Sequence, residues 1–181
     1  MCRLCREGTY AFERARSFAI YDDVAQRAIV LLKHDEVTKL GEWFAGRLAE
    51  MISRHPEEFE VDVVVPVPLH RARHRSRGYN QAELIARPLA LRLHLPCKPG
   101  LLIRTKPRPR KLILSRKERW SSVRGAYDAA APAKVKGRRI LVVDDAFTTG
   151  ATIDACARAL KKAGASGVIG LTFARTIFRA G

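Results

Sequence analysis

The sequence predicts an α/β fold built on an open, mainly parallel sheet, and three observations carry that expectation. Residues 61–65 and 140–143 are short apolar runs of the kind buried on both faces of a sheet. Stretches with helical periodicity lie around them, at 24–33, 39–52, 79–93 and 152–163. The second apolar run leads at once into Asp144-Asp145 and then Thr148-Thr149-Gly150-Ala151-Thr152, where a strand gives way to a helix. In an open parallel sheet that junction lies at the carboxyl edge, where ligands bind.

Each element has its own signal. In 39–52, Leu40, Trp43, Phe44, Leu48 and Met51 recur at helical spacing and are expected in the core. The run 61–65 is a strand by its β-branched content. Pro66 and Pro68 then stop the sheet ladder, so a rigid loop is expected over 70–81, HRARHRSRGYNQ. The helix over 79–93 contains Pro88, which predicts a kink or an early stop near Arg87. Residues 101–124 hold Pro107, Pro109 and a dense basic run. Residues 135–139 lead into the strand at 140. Gly164 ends the following helix as a C′ glycine, and 167–174 supply a further strand.

At 181 residues the chain suits one substantial core. No apolar run approaches transmembrane length and no secretory segment follows Met1, so the expected location is cytoplasmic. The net charge of +16 is concentrated. Between His70 and Arg124, 12 Arg and 4 Lys stand against Glu83 and Glu118, a net +14 in 55 residues. The other 126 residues carry +2. Such a segment suits a polyanion such as nucleic acid, or forms a solvated basic surface. Cys97 and Cys156 stand alone; Cys156 is expected to be a small buried residue. Cys2 and Cys5 form a CxxC pair, half of a zinc-ribbon set, with no second pair to complete four ligands. Bound Zn²⁺ is therefore doubtful.

The 144–152 segment has a legible chemistry. A helix N-terminus leaves backbone N–H groups unpaired and favours an anion such as phosphate. Thr148, Thr149 and Thr152 add hydroxyl donors, and Gly150 lets the backbone approach closely. Asp144 and Asp145 would repel a phosphate but accept from hydroxyls. A ligand with a phosphate at one end and a diol beside it satisfies both halves, as ribose 5-phosphate does.

VVDDAFTTGAT closely resembles the phosphoribosyl-pyrophosphate (PRPP) signature of type I phosphoribosyltransferases. The blocks VVVPVPLHRARHRSRGYNQAELIA and LSRKERWSSVRGAY, in this order before the signature, resemble the ComF family, a phosphoribosyltransferase-like family associated with bacterial competence. The resemblance implies an α/β type I phosphoribosyltransferase-like fold with an open, mainly parallel sheet and helices on both faces. It implies PRPP binding by Asp144, Asp145, Ala146, Thr148, Thr149, Gly150, Ala151 and Thr152, with Mg²⁺. It places the pyrophosphate at Pro66, Val67, Pro68, Arg77 and Gly78. It sets a basic residue near Lys33 and His34, where a surface cation is the plainer reading. It makes 101–124 either a mobile loop over the reacting centre or a solvated basic linker. The family begins with two cysteine pairs, so residues 1–20 are expected to be the remnant of a zinc-ribbon-like segment and 21–181 the phosphoribosyltransferase-like domain. Lys111 and Ser122 stand where the family carries glutamine and asparagine.

Two functions follow. One is a PRPP-binding protein, with transfer of a phosphoribosyl group and release of pyrophosphate as its enzymatic form. The other is a competence or DNA-uptake factor that works beside competence-machinery proteins. It would hold single-stranded DNA with Arg71, Arg73, Arg75, Arg108, Arg110 and Lys111, and with Tyr79, Trp120 or Tyr127 as stacking faces.

Overall fold

The computed structural model describes residues 10–34, 37–107 and 115–177. In chain order these form β1 (Arg14–Ile20), α1 (Asp23–His34), α2 (Lys39–Ser53), β2 (Val63–Pro66), α3 (Arg71–Arg77) and α4 (Gln81–Arg92). There follow β3 (Leu102–Arg104), α5 (Arg116–Val123), β4 (Tyr127–Ala129), β5 (Arg139–Phe147), α6 (Ala151–Lys162) and β6 (Gly167–Arg175). Four strands build a sheet in the order β1-β6-β5-β2, all parallel. β3 and β4 pair antiparallel as a separate ribbon. No helix among the described residues is long and apolar enough to cross a membrane.

Burial on both faces explains the apolar runs. Val63, Val65, Ile140, Val142 and Val168 pack with Ile153, Cys156, Ala157 and Leu160 of α6. Val64, Leu141, Val143, Ile169 and Leu171 pack on the other face with α1, α2 and α4. The pleat thus sends alternate side chains into two cores, and each fully buried aliphatic side chain contributes about 1.5–3 kcal/mol.

Several elements differ from the sequence-based expectation. The strand expected over 61–65 spans Val63–Pro66, and the Val67 amide still bonds the Val143 carbonyl at 2.9 Å. The acidic pair lies within β5, which runs to Phe147, and the following helix starts at Ala151 rather than Thr152. The stretch 70–81 is not a loop. His70 Nδ1 accepts from the Ala72 amide at 3.3 Å, Gly78 closes the helix at φ 80°, and α3 forms between these caps. The helix containing Pro88 does not stop near Arg87 but continues to Arg92, because Ile85, Ala86, Leu89 and Ala90 are buried along it. Residues 101–124 are neither wholly loop nor linker. They include β3 and α5, the latter opened by a capping box in which Ser115 Oγ accepts from the Glu118 amide and Glu118 Oε2 from the Ser115 amide. At the amino-terminal side, β1 pairs with β6 from Arg14↔Ile169 to Ile20↔Arg175 as an edge strand of the sheet.

Candidate functional site

The carboxyl ends of β2 and β5 open into a cleft of about 490 Å³, within the range of small-molecule sites. β5 carries Asp144 and Asp145 into it. Asp145 is 4% exposed, and Lys33 Nζ lies 2.9 Å from its Oδ1. Lys33 sits in the last turn of α1, which is pinned by the Tyr79 hydroxyl donating to the Leu32 carbonyl at 2.8 Å. The other oxygen, Asp145 Oδ2, is buried and accepts no hydrogen bond from the described residues. A buried carboxylate oxygen in that state is costly and suits a donor or a hard cation brought by a ligand. Asp144 Oδ1 accepts from the Asp145 amide at 2.9 Å, which turns the first carboxylate back along its own strand.

The turn from β5 to α6 forms the opposite wall. Gly150 is the residue before the helix, at φ 78°, and has no side-chain cap bond. A Cβ there would lie 2.7 Å from Phe147 Cζ, so a side chain at 150 is excluded by both conformation and space. Thr149 Oγ1 accepts from the Ala151 amide at a long 3.4 Å, and the Asp154 amide makes the first helical bond to the Gly150 carbonyl. The amides at the start of α6 therefore face the cleft with little internal use. Arg119 of α5 reaches Thr148 Oγ1 at 3.4 Å. Arg104 of β3 stacks over the Tyr127 ring at 5.2 Å and donates to its hydroxyl, while its second terminal nitrogen is buried without a partner among the described residues.

The expected site residues divide into three groups. Asp144, Asp145, Ala146, Thr148, Thr149, Gly150, Ala151, Thr152, Val67 and Pro68 all line the cleft. Pro66, Arg71, Arg73, Arg75, Arg77 and Gly78 do not. Pro66 ends β2, and the four arginines belong to α3. Arg77 reaches the cleft only through Gln81, a lining residue whose Oε1 it bonds at 2.7 Å. Arg108, Arg110, Lys111, Cys2 and Cys5 lie outside the described residues. The plainer reading of Lys33 as a surface cation is corrected by its ion pair inside the cleft. Tyr21, Gln81, Arg104, Arg119 and Thr176 also line it, although no pattern in the sequence points to them. Nothing local marks them, because each arrives from a different element.

The stacking faces considered for DNA fare unequally. Tyr127 is 4% exposed and covered by Arg104, so it offers no face to a base. Trp120 is half-buried and stacks with Tyr10 at 5.8 Å.

The residues fit Mg²⁺ only as part of a ligand complex. Asp144 and Asp145 supply carboxylate oxygens, the donor type a hard cation takes, and Asp145 Oδ2 has no hydrogen-bond partner among the described residues. No group of three or more potential ligands gathers among the described residues, so the ion would depend on ligand phosphates for most of its shell. Cys156 is fully buried and Cys97 half-buried; burial pushes the first thiol far up and the second up to about 11. Neither is poised as a nucleophile.

Comparison with known proteins agrees with this geometry. The phosphoribosyl transferase domain family matches residues 37–176. DNA utilization protein YhgH of Escherichia coli is 34% identical over 116 residues, 64% of this chain and 50% of that protein. Competence protein F of Haemophilus influenzae is 34% identical over 104 residues, 57% of this chain and 45% of that protein. Competence protein ComFC of Bacillus subtilis is 28% identical over 165 residues, 89% of this chain and 64% of that protein. The chain spans about half the length of the first two of these relatives. With the parallel sheet, the acidic pair on β5 and the glycine turn into α6 all in the expected order, the chain belongs to the phosphoribosyl transferase domain family, and within it to the ComF family.

Proposed function

We propose that this domain binds PRPP or ribose 5-phosphate together with Mg²⁺ in the cleft between β2 and β5. One observation carries the reading: the acidic pair and the 148–152 turn, suited to opposite ends of a sugar phosphate, line the same cleft. The α6 amides and the hydroxyls of Thr148, Thr149 and Thr152 receive the 5-phosphate. Asp144 and the unpartnered Asp145 Oδ2 accept from the ribose hydroxyls. Val67 and Pro68 bound the side where the pyrophosphate extends, and Lys33 holds Asp145 in its nearly sealed position through a 2.9 Å ion pair. Mg²⁺ supplies charge neutralisation on the phosphate oxygens. In the enzymatic form of this function, the bond from ribose C1 to pyrophosphate breaks and one from C1 to an acceptor forms. The carboxylates then offset positive charge developing on the sugar.

Calorimetric titration of PRPP with Mg²⁺ tests this, beside an Asp144→Asn, Asp145→Asn double variant whose fold is checked by circular dichroism. Saturable binding that the variant loses supports the site. A well-folded wild-type protein that takes up no PRPP overturns it.

A second reading has its own support: α3 presents Arg71 and Arg75 to solvent, with no acidic residue between His70 and Ala82. We propose single-stranded DNA as the polyanion for that surface, in a competence protein that acts beside other competence proteins.

A further inference from the structure

Residues 10–12 brace the strand–turn–helix unit from behind, outside the ligand-lining set. The Tyr10 hydroxyl donates to the Thr149 carbonyl at 3.2 Å. Its ring lies against Gly150, where an added Cβ would come within 3.1 Å of Tyr10 Cε1. The ring is itself stacked, with Phe12 at 4.6 Å and Trp120 at 5.8 Å. The next residue secures the helix. The Ala11 amide donates to Asp154 Oδ1 at 2.7 Å, and Asp154, 2% exposed in the first turn of α6, is held by Arg158 Nε at 2.7 Å. The Glu13 amide then bonds the Val168 carbonyl and commits the chain to the sheet.

The Thr149–Gly150 peptide has a particular need of such a brace. A trans peptide is planar, with its carbonyl and N–H pointing in opposite directions, so fixing one fixes the other. Glycine on one side makes this the peptide of the turn that flips most readily. Tyr10 holds the carbonyl on the core side, which directs the Gly150 N–H toward the cleft.

We propose that Tyr10 is a positioning residue for this turn: its hydroxyl on the Thr149 carbonyl and its ring against Gly150 hold the Gly150–Thr152 amides in the orientation that receives a phosphate. The ligand side of the proposal rests on the PRPP reading above; the orientation of the peptide stands apart from it.

The test uses Tyr10→Phe and Tyr10→Ala in the full chain, with two readouts. The first is PRPP·Mg²⁺ affinity by calorimetry. The second is amide hydrogen exchange at Gly150 and Ala151 in the ligand-free protein, with β6 amides as internal reference. Tyr10→Phe keeps the stacked ring and lowers the melting temperature by no more than a few degrees, about the worth of one hydrogen bond. It weakens binding by about threefold to tenfold, the factor of one hydrogen bond, and speeds exchange at the turn by a similar factor while β6 is unchanged. Tyr10→Ala exceeds it on both counts. Wild-type affinity and wild-type exchange in Tyr10→Phe would overturn the proposal. If the wild-type protein binds no PRPP, the ligand reading fails, and exchange alone decides: faster at the turn supports the brace, unchanged refutes it.

Discussion

Asp145 is a carboxylate in an almost closed position, and Lys33 is its counter-charge. The side chains are 6% and 25% exposed, so the pair is screened far less than a surface ion pair. Breaking a buried pair from one side typically costs about 3–5 kcal/mol. Lys33 keeps some contact with water, so Lys33→Met is expected to lower unfolding free energy by about 1–3 kcal/mol. Replacing the charge on the other side as well removes the stranded carboxylate. Lys33→Met with Asp145→Asn is therefore less destabilised than the two single changes summed, as read from a urea-unfolding double-mutant cycle. Strict additivity would mean that the two residues do not sense one another. The cysteines give a second expectation at this scale. Burial foremost pushes Cys97 to about 11 and Cys156 well above the usual thiol range. The thiolate is the reactive form, so raising the value makes it scarce at neutral pH. Iodoacetamide near neutral pH should leave both residues unmodified in folded protein, as read by peptide mass spectrometry, and modify both in urea. Cys97 labelling rises as pH climbs toward about 11; rapid labelling at neutral pH would contradict its buried setting.

Helix packing shows how two local irregularities support each other. Pro88 has no N–H to give the Leu84 carbonyl, yet α4 continues through it. That same carbonyl lies against Gly41 of α2, where a Cβ would come within 2.7 Å of the Leu84 oxygen and 2.8 Å of its Cβ. The helices approach this closely because residue 41 has no side chain. Gly41→Ala should cost about 1–3 kcal/mol by overpacking. Gly46, in the same helix, has nothing within 4 Å of such a Cβ, so Gly46→Ala should gain up to about 1 kcal/mol from helix propensity. Opposite shifts in melting temperature confirm the contrast, and equal shifts would assign both effects to propensity alone. The same elements show what local sequence can reveal. β2 and β5 are legible because burial on both faces leaves unbroken apolar runs at 63–65 and 140–143. Pro88 misleads because its cost is local, whereas the burial of Ile85 and Leu89 that outweighs it comes from other elements. α3 hides because it buries nothing and has only its caps, His70 and Gly78, to mark it. β1 is an edge strand with intermediate burial over most of its length, so its pattern carries little signal. At the cleft, the Asp144–Thr152 string is contiguous and therefore visible. The Lys33–Asp145 pair joins residues 112 apart, which no local pattern encodes.

Across the whole molecule, charge and topology meet at one edge. In a parallel sheet, β2 and β5 both release their chains at the carboxyl end, so α3 and the start of α6 leave from the same side. The arginines of α3 thus stand near the cleft without lining it, and the net +14 between His70 and Arg124 belongs to the segment that contains them. A small phosphorylated ligand needs few of these cations. A polyanion passing along that edge would use several, and its binding would release counterions. Fluorescence anisotropy of a labelled oligothymidylate across a sodium chloride series reads this directly. The logarithm of the association constant should fall linearly with the logarithm of salt, by about 0.7 for each phosphate neutralised on a single strand. Arg71→Gln with Arg75→Gln removes two exposed cations and should make the slope shallower by about 0.7 for each phosphate left unneutralised. Arg71→Lys with Arg75→Lys keeps the charge and should keep the slope. A slope unchanged by the glutamine pair would move the DNA-binding surface away from α3, and absence of binding at low salt would remove DNA as the partner of this edge. Adding PRPP with Mg²⁺ to the same titration then separates two arrangements. Competition would place the strand across the cleft mouth, while independence would confine it to the α3 surface.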